Sequence, residues 1–419
     1  MYRVLRFSLL SILLFALMLP AQTSAAQTTV TPEQFGADGF DSLPDTQALQ
    51  TAFNSGADIV YLKEGASYYI DKRLSINKSI KIISGQKKAA IIQRSTKEGI
   101  LYFRNPAKTS AAASQIISKG SSYIAVGSTK GVRQGDIIEL KSNKLWKWDN
   151  RGTLTKGEIH TVKSISGNQI YINTKTDDAY AIGKGEKVTI KTYAPNTISL
   201  ENIQLKYPKA VDTTGVIIDP SVNSTFKNIT ISNSKLTGLK LIKNINAKVE
   251  LASIALGTTK EISTGYGIQD YGGINTKILK STFQQVRRGV DFSGDIPSRY
   301  GLVQYSKAIG PVKGTLASGN SGFGTHSTAE YIVFRNNEVK NFDYQFVSRG
   351  DHISFIDNTG TGVSKAFLHT NYGDHITLAN NKYVSASKSK LDYFILRSTS
   401  FKGSIKHYGN KGLYNTYIR

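Results

Sequence analysis

The chain has 419 residues, with 53 Lys+Arg against 30 Asp+Glu, a formal charge of +23 and no cysteine. The missing thiols exclude a disulfide framework, thiolate metal sites and a cysteine nucleophile, and 39% hydrophobic with 10% aromatic residues is too much for a disordered polycation. The 37 glycines against 9 prolines, among many Ser, Thr, Asn, Ile and Tyr, favour β-structure with frequent turns.

Residues 1–26 read as an export signal. Arg3 and Arg6 precede an apolar run from Leu9 to Leu19, and Thr23-Ser24-Ala25-Ala26 offers small residues for cleavage. The run is short for a bilayer span and nothing later reaches 18 apolar residues, so no transmembrane segment is expected. An exported protein, periplasmic or secreted, has no nucleic acid as its natural partner. Its cationic charge is expected to draw an anionic polysaccharide instead, with solubility or adhesion to an anionic envelope as the plainer reading.

Between Asp41 and Gly56 lies the clearest helix: Leu49, Ala52 and Phe53 share one face, acids and hydroxyls cluster at the start, and Gly56 suits the stop. Short β-branched runs follow at Ile59–Leu62, Tyr68–Ile70, Ile80–Ile83 and Ala90–Ile92. The stretch from Val30 to Gln93, with Phe35-Gly36-Ala37-Asp38-Gly39, Pro44-Asp45-Thr46-Gln47-Ala48-Leu49 and Val60-Tyr61-Leu62, resembles the opening of pectate-lyase-superfamily right-handed β-helices. That family includes bacterial polysaccharide-degrading enzymes and phage tailspikes. The resemblance covers about 65 residues and implies a fold, but it carries no catalytic residue.

The texture changes over 113–195. Tyr123–Val126, Asp136–Leu140, His160–Val162 and Gln169–Ile172 alternate in polarity, with hairpin-like turns at Gly135 and Gly167-Asn168, which predicts a small inserted antiparallel barrel or sandwich. Trp146 and Trp148 flank Lys147 there; core placement is favoured over a sugar-stacking surface.

Over 196–419 a short apolar strand ending in Asn recurs: Ile198–Asn202, Thr225–Asn228, Ile332–Asn337, Ile353–Asn358, Ile376–Asn381 and, weaker, Ile405–Asn410. Ile278–Thr282 and Leu302–Ser306 fill the gaps, giving separations of about 21 to 31 residues, the repeat length of a β-solenoid. Stacked copies would fill an aliphatic interior and let an asparagine ladder satisfy its amides along the stack. The expectation is an all-β right-handed parallel β-helix with an N-terminal capping helix (27–112), the inserted β unit, and a main solenoid whose last rungs from Tyr393 loosen into a cap.

A solenoid builds sites by stacking positions one repeat apart. Counting back from the Asn ladder aligns Tyr271, Asp295, His326 and Val347, with Arg349 and Tyr372 nearby, and the long spacings between Tyr266 and Arg349 predict extra loop walling a cleft. The stretch Phe323–Asn337 and the arginine pair before Gly289-Val290-Asp291 also resemble rungs of tailspike-like and pectate-lyase-like proteins. That second resemblance implies a carbohydrate-active groove and singles out Arg288 and His326.

β-Elimination from a uronate polymer needs a cation on the carboxylate, a base for the α-proton and an acid for the leaving oxygen. Arg288 and Arg349 are candidate neutralisers, His326 the candidate base, and Tyr271 or Tyr300 the acid. Hydrolysis would instead need two carboxylates, for which Asp270, Asp291, Asp295 and Glu330 are available. Arg287, Asp291, Arg299, Tyr300, Glu330, His352 and Tyr372 are candidate substrate contacts, with Asp295 also a candidate in the catalytic group. The Asp-His pairs at Asp351-His352 and Asp374-His375 invite a C5-epimerase reading, yet their equal offset favours simple stacking of the two imidazoles. No cofactor is expected. Calcium, used by many pectate lyases, has no Asp-rich ligand spacing here.

Overall fold

The computed structural model describes residues 26–147, 154–257, 263–310, 317–362, 365–385 and 393–412. Nearly all of the expected export signal, and Trp148, lie outside the described residues.

A three-residue apolar-polar strand cannot bury itself. It is stable only when its inward side chain stacks on copies above and below. The chain therefore winds as a right-handed parallel β-helix with three sheets of 12, 11 and 10 parallel strands. Each sheet has an inward column in strict register. In the first it runs Val249, Ile278, Val303, Phe334, Phe355 and Leu378. In the third it runs Val216, Leu239, Ile268, Val290, Phe323, Phe346, Leu368 and Ile395. These side chains form one continuous core, in which Phe334 and Phe355 stack with centroids 5.1 Å apart.

Turns set the register. Between the first and second sheets, Asn202, Asn228, Asn336, Asp357 and Asn380 all take left-handed backbone angles, which Asn and Asp tolerate better than other non-glycine residues. The next residue points inward, and in the later rungs it is asparagine. Asn337 donates to the Asn358 Oδ1 (3.0 Å), Asn358 to Asn381 (3.0 Å) and Asn381 to Asn410 (2.9 Å), while each also donates to a backbone carbonyl. The expected ladder is thus a real hydrogen-bonded column.

The helix Thr46–Asn54 closes the N-terminal end, with Leu49, Ala52 and Phe53 buried. Asp45, just before it, does not cap the helix; its carboxylate accepts the backbone amides of Asp38 and Tyr69. At the other end, Tyr393–Arg397, Ile405–Tyr408 and Lys411–Gly412 remain the terminal strands of the three sheets rather than a loosened cap.

Between the strand Leu101–Arg104 of the third sheet and Ile198–Glu201 of the first, the turn is replaced by six antiparallel strands. Their outer members meet through an Ala113–Val126 bridge, which closes the sheet into a barrel around Ile124, Ile138, Leu140, Val162, Ile170 and Ile190. Gly167-Asn168 forms the expected hairpin, but Gly135 does not: it leads into Ile137–Leu145, which pairs with Thr155–Ser166 and Val188–Tyr193. Trp146 is half-buried at the barrel's junction with the solenoid, 5.7 Å from the Arg299 guanidinium, and is not part of the barrel core.

The barrel docks along the turns between the third and first sheets. Ile137, Ile159 and Tyr193 from the barrel pack on Val222, Ile245, Ile274 and Ile296 from successive rungs. Further along, the docking becomes polar. Arg299, 2% exposed, donates to Glu330 (2.9 Å), Asp178 (2.7 Å) and the Gly157 carbonyl (3.2 Å), and Lys147 reaches Asp351 (2.6 Å). The barrel so fixed stands as a wall beside the outer face of the third sheet.

Candidate active site

A backbone irregularity in the third sheet creates the site. Residues Gly215, Gly238, Gly267, Gly289 and Gly322 precede the core column, and a Cβ on Gly238, Gly267 or Gly289 would sit 2.5 to 2.8 Å from the carbonyl of the next glycine. With two consecutive positions turned inward, residues three apart share the outer face. Arg288 and Asp291 are such a pair, which is why they meet.

Three outward columns follow from the register. One runs Tyr266, Arg288, Ser321, Tyr344; the next Gln269, Asp291, Gly324, Val347, His369; the third places Tyr271 beside Ser293, with His326 and Arg349 directly after the paired positions of the following rungs. Neighbouring rungs are about 4.8 Å apart. Gly324, level with Asp291 one rung on, has no side chain, and a Cβ there would collide with the Val347 carbonyl; His326, two residues further along, reaches back to Asp291.

The result is a compact charged cluster. His326 Nδ1 lies 2.9 Å from both oxygens of Asp291, which is 0% exposed, while 18% of the His326 side chain faces solvent. Arg288, 5% exposed, donates from Nη1 to Asp291 (2.5 Å) and from Nε to the Ser321 hydroxyl (2.9 Å). Tyr266 meets the imidazole edge-on at 6.1 Å, and the Arg287 guanidinium lies over the Tyr266 ring at 4.9 Å. Arg349 lies over the Tyr372 ring at 4.9 Å, and His369 stacks on Tyr344 at 4.4 Å.

These contacts fix protonation. Burial opposes ionisation of Asp291, but His326 and Arg288 outweigh it and hold the carboxyl well below its usual range. Burial pushes the His326 imidazole down, and although Asp291 counters this, Arg288 and Arg349 add to it. A neutral imidazole beside a carboxylate donates from Nδ1 and keeps its lone pair at Nε2. Burial, joined by the Asp291 charge, raises the Tyr266 phenol and keeps it protonated. His369 is lowered to about 4, by burial first and then by Arg349 and Arg288.

The sequence-derived candidates divide accordingly. His326, Arg288, Asp291, Arg349, Arg287 and Tyr372 converge on this face. Asp295 does not: the register sets Ser293, not Asp295, beside His326, and Asp295 instead pairs with Lys141 of the barrel, its carboxyl lowered by Lys243 and Lys141 against burial. Tyr271 shares the third column but sits two rungs from His326, under the Lys240 ammonium at 4.6 Å. Arg299, Tyr300 and Glu330 belong to the barrel contact; Tyr300 donates to Asp177 (2.5 Å). His352 lies on the neighbouring turn, stacked on His375 at 4.4 Å and 9°, as equal offsets predict, and continues a ring column through Tyr331 to Tyr300. Asp270 is fully buried and bonded to Ser298, Thr276 and Gly273. Sequence reasoning passed over Tyr266, Ser321, Tyr344 and His369. The repeated Gly-apolar dipeptides from Gly215-Val216 to Gly322-Phe323 would have fixed their register. Among the described residues no three His, Asp or Glu side chains converge as a metal site would require, and no helix is long and apolar enough to cross a membrane.

No protein-family model and no curated protein matches the sequence. Solved structures do match the fold. The tailspike protein gp49 of Pseudomonas phage LKA1 is similar with a TM-score of 0.68 and 16% identity over 92% of this chain and 78% of its own. The Gp54 tailspike of Acinetobacter baumannii bacteriophage AP22, solved with capsular saccharide, has a TM-score of 0.68 and 15% identity over 93% and 73%. PfbA, a surface adhesin of Streptococcus pneumoniae, has a TM-score of 0.50 and 12% identity over 93% of each chain. At these identities the likeness defines a class of fold, the right-handed parallel β-helix shared by phage tailspikes.

Proposed function

We propose that this protein is an exported enzyme that cleaves an acidic polysaccharide by β-elimination on the outer face of the third sheet. The observation carrying the reading is the His326–Asp291 pair, a neutral imidazole oriented by a buried carboxylate beside an arginine at the solvent side. Arg349 would pair with the substrate carboxylate and make the adjacent C–H acidic. Arg288 orients Asp291, its Nη1 and Nε being bonded to Asp291 and Ser321. Nε2 of His326 takes the proton from the carbon α to the carboxylate, the electron pair forms the C4–C5 double bond, and the C4–O bond breaks. Tyr266, kept protonated, gives its proton to the departing oxygen. The net positive charge supports an anionic chain as substrate, and two tailspikes of like fold, one solved with capsular saccharide, are consistent with a saccharide partner.

One observation favours hydrolysis as the second reading. Asp219 is raised, chiefly by burial and also by Glu139 and Asp295, although Lys243 and Arg104 oppose this. A carboxyl raised by burial near other carboxylates is the arrangement from which glycoside hydrolysis draws its general acid. Incubating the protein with alginate, polygalacturonate, hyaluronate and neutral glucans separates the two. Elimination yields ultraviolet-absorbing unsaturated ends together with reducing ends, and hydrolysis yields reducing ends alone. Neither signal on any polymer would refute both.

A further inference from the structure

The outward columns of the third sheet do not end at the site. Four rungs below Asp291, through Gln269, Lys240 and Ile217, the same column reaches Tyr102. That is a span of about 19 Å at the ordinary spacing of parallel strands. There the sheet face and the capping helix flank an open concavity of about 680 Å³ lined by Gln50, Asn54, Arg73, Asn77, Tyr102 and Arg104, a size usual for small-ligand sites.

The chemistry of this hollow is distinctive. The Arg73 guanidinium lies 4.9 Å from the Tyr102 ring centre, which holds the fork over an aromatic face. Arg73 and Arg104 are both exposed, and among the described residues neither guanidinium has an ion pair or hydrogen bond. Gln50 is no mobile fringe. Its amide bonds both the N–H and the carbonyl of Ser75 (2.9 and 2.8 Å), so the helix side of the hollow is fixed. Arg73 stacks on Tyr102 and Arg104 lies level with Asp219 and favours its ionised form, yet both guanidinium groups remain exposed to solvent in one concavity. An anion bearing a flat apolar face satisfies both features.

We infer that Arg73, Tyr102 and Arg104 form a distal subsite for a carboxylate-bearing sugar of the same polysaccharide. Bound chain runs along the helix axis, over Lys240 and Tyr271, to His326. The inference rests on the proposed function for the identity of the chain, but its test does not require cleavage. Each guanidinium takes a carboxylate in the bidentate manner, and the tyrosine ring takes the face of a sugar.

The test is calorimetric titration of the full chain with tetramers and decamers of galacturonate, alginate and hyaluronate, at low salt, with and without Arg73→Gln and Arg104→Gln together. At least one decamer should bind, and the double substitution should weaken it at least tenfold while leaving thermal stability unchanged. The methyl-esterified form of that decamer should show no such difference between the two chains. Equal decamer affinity in both chains, no decamer binding at all, or equal loss with the methyl ester would each overturn the subsite. Repeating the titration with His326→Ala separates the two claims. If that variant still cleaves but the arginine effect persists, the mechanism fails and the subsite stands; if cleavage is lost but the arginine effect is absent, the reverse holds.

Discussion

His326 and Asp291 stand one rung apart, and the imidazole Nδ1 is equidistant, at 2.9 Å, from the two oxygens of a carboxylate with no solvent exposure. A bifurcated contact of this kind fixes both the ring plane and the tautomer. Asp291→Asn keeps the shape but offers one carbonyl oxygen and a competing N–H. The proposed activity should fall by about 10² to 10⁴, the usual share of an oriented acid–base group. Asp291→Ala should also destabilise the fold by about 3 to 5 kcal/mol, because it strands the buried Arg288 charge. Comparing turnover with melting temperature across the two variants separates positioning from scaffold.

Arg349 and Arg288 should respond oppositely to conservative change. Arg349→Lys preserves charge without the fork and should raise KM or lower kcat by about tenfold with little loss of stability. Arg288→Lys cannot keep both bonds to Asp291 and Ser321, so its main effect should be a lowered melting temperature. Steady-state kinetics alongside thermal denaturation reads both.

A pH dependence of stability follows from His369. Its pKa is lowered to about 4 in the fold against about 6.5 when unfolded, so between these values the unfolded chain binds the extra proton. Stability should therefore be full above about pH 6.5 and decline as pH falls toward 4, by on the order of 3 kcal/mol from this group. In His369→Gln that part of the acid decline should be absent, as chemical denaturation at a series of pH values would reveal. The lowered His326 acts in the same direction, so the slope should shrink rather than vanish.

How much of this was legible without coordinates depends on the kind of signal. The apolar strand followed by asparagine disclosed the solenoid because one residue type does one job in every rung. The Asn337–Asn358–Asn381–Asn410 ladder is that job made visible. His326 and Arg349 were reachable because polar residues recurred at the repeat length, and Arg288 because its rung resembles those of tailspike-like and pectate-lyase-like proteins. Asp295 was misplaced because Gly294 and the residues after it leave the strand, and a two-residue slip in register exchanges Ser293 for Asp295. Arg299, Tyr300 and Glu330 look like groove residues in sequence. Their partners Asp177, Asp178 and Gly157 lie more than a hundred residues away in the barrel, and nothing local announces that contact.

The asparagine ladder should be costly to interrupt. Asn358→Leu removes an amide whose neighbours are all buried, leaving the Phe334 carbonyl and the Asn337 and Asn381 side chains short of a partner. A loss of about 3 kcal/mol or more is expected from several unsatisfied groups, measurable by chemical denaturation. Asn380→Ala, on the exposed turn just before the ladder, should cost less.

Arg299→Ala should loosen the barrel rather than the solenoid. It leaves Glu330 and Asp178 without their shared cation in a buried interface, a change expected to cost about 3 to 5 kcal/mol of docking. Limited proteolysis should then cut within 107–193 first, and Trp146, which lies beside the guanidinium, should change its fluorescence.

The most direct measurement is the initial rate of unsaturated-end formation by the intact protein and by His326→Ala, on whichever uronate polymer is cleaved best. A drop of at least about 10²-fold in a variant with unchanged melting temperature and circular dichroism is the predicted result. A rate within a few-fold of the native protein would contradict the assignment of the base, and reducing ends formed without any unsaturated product would contradict elimination itself.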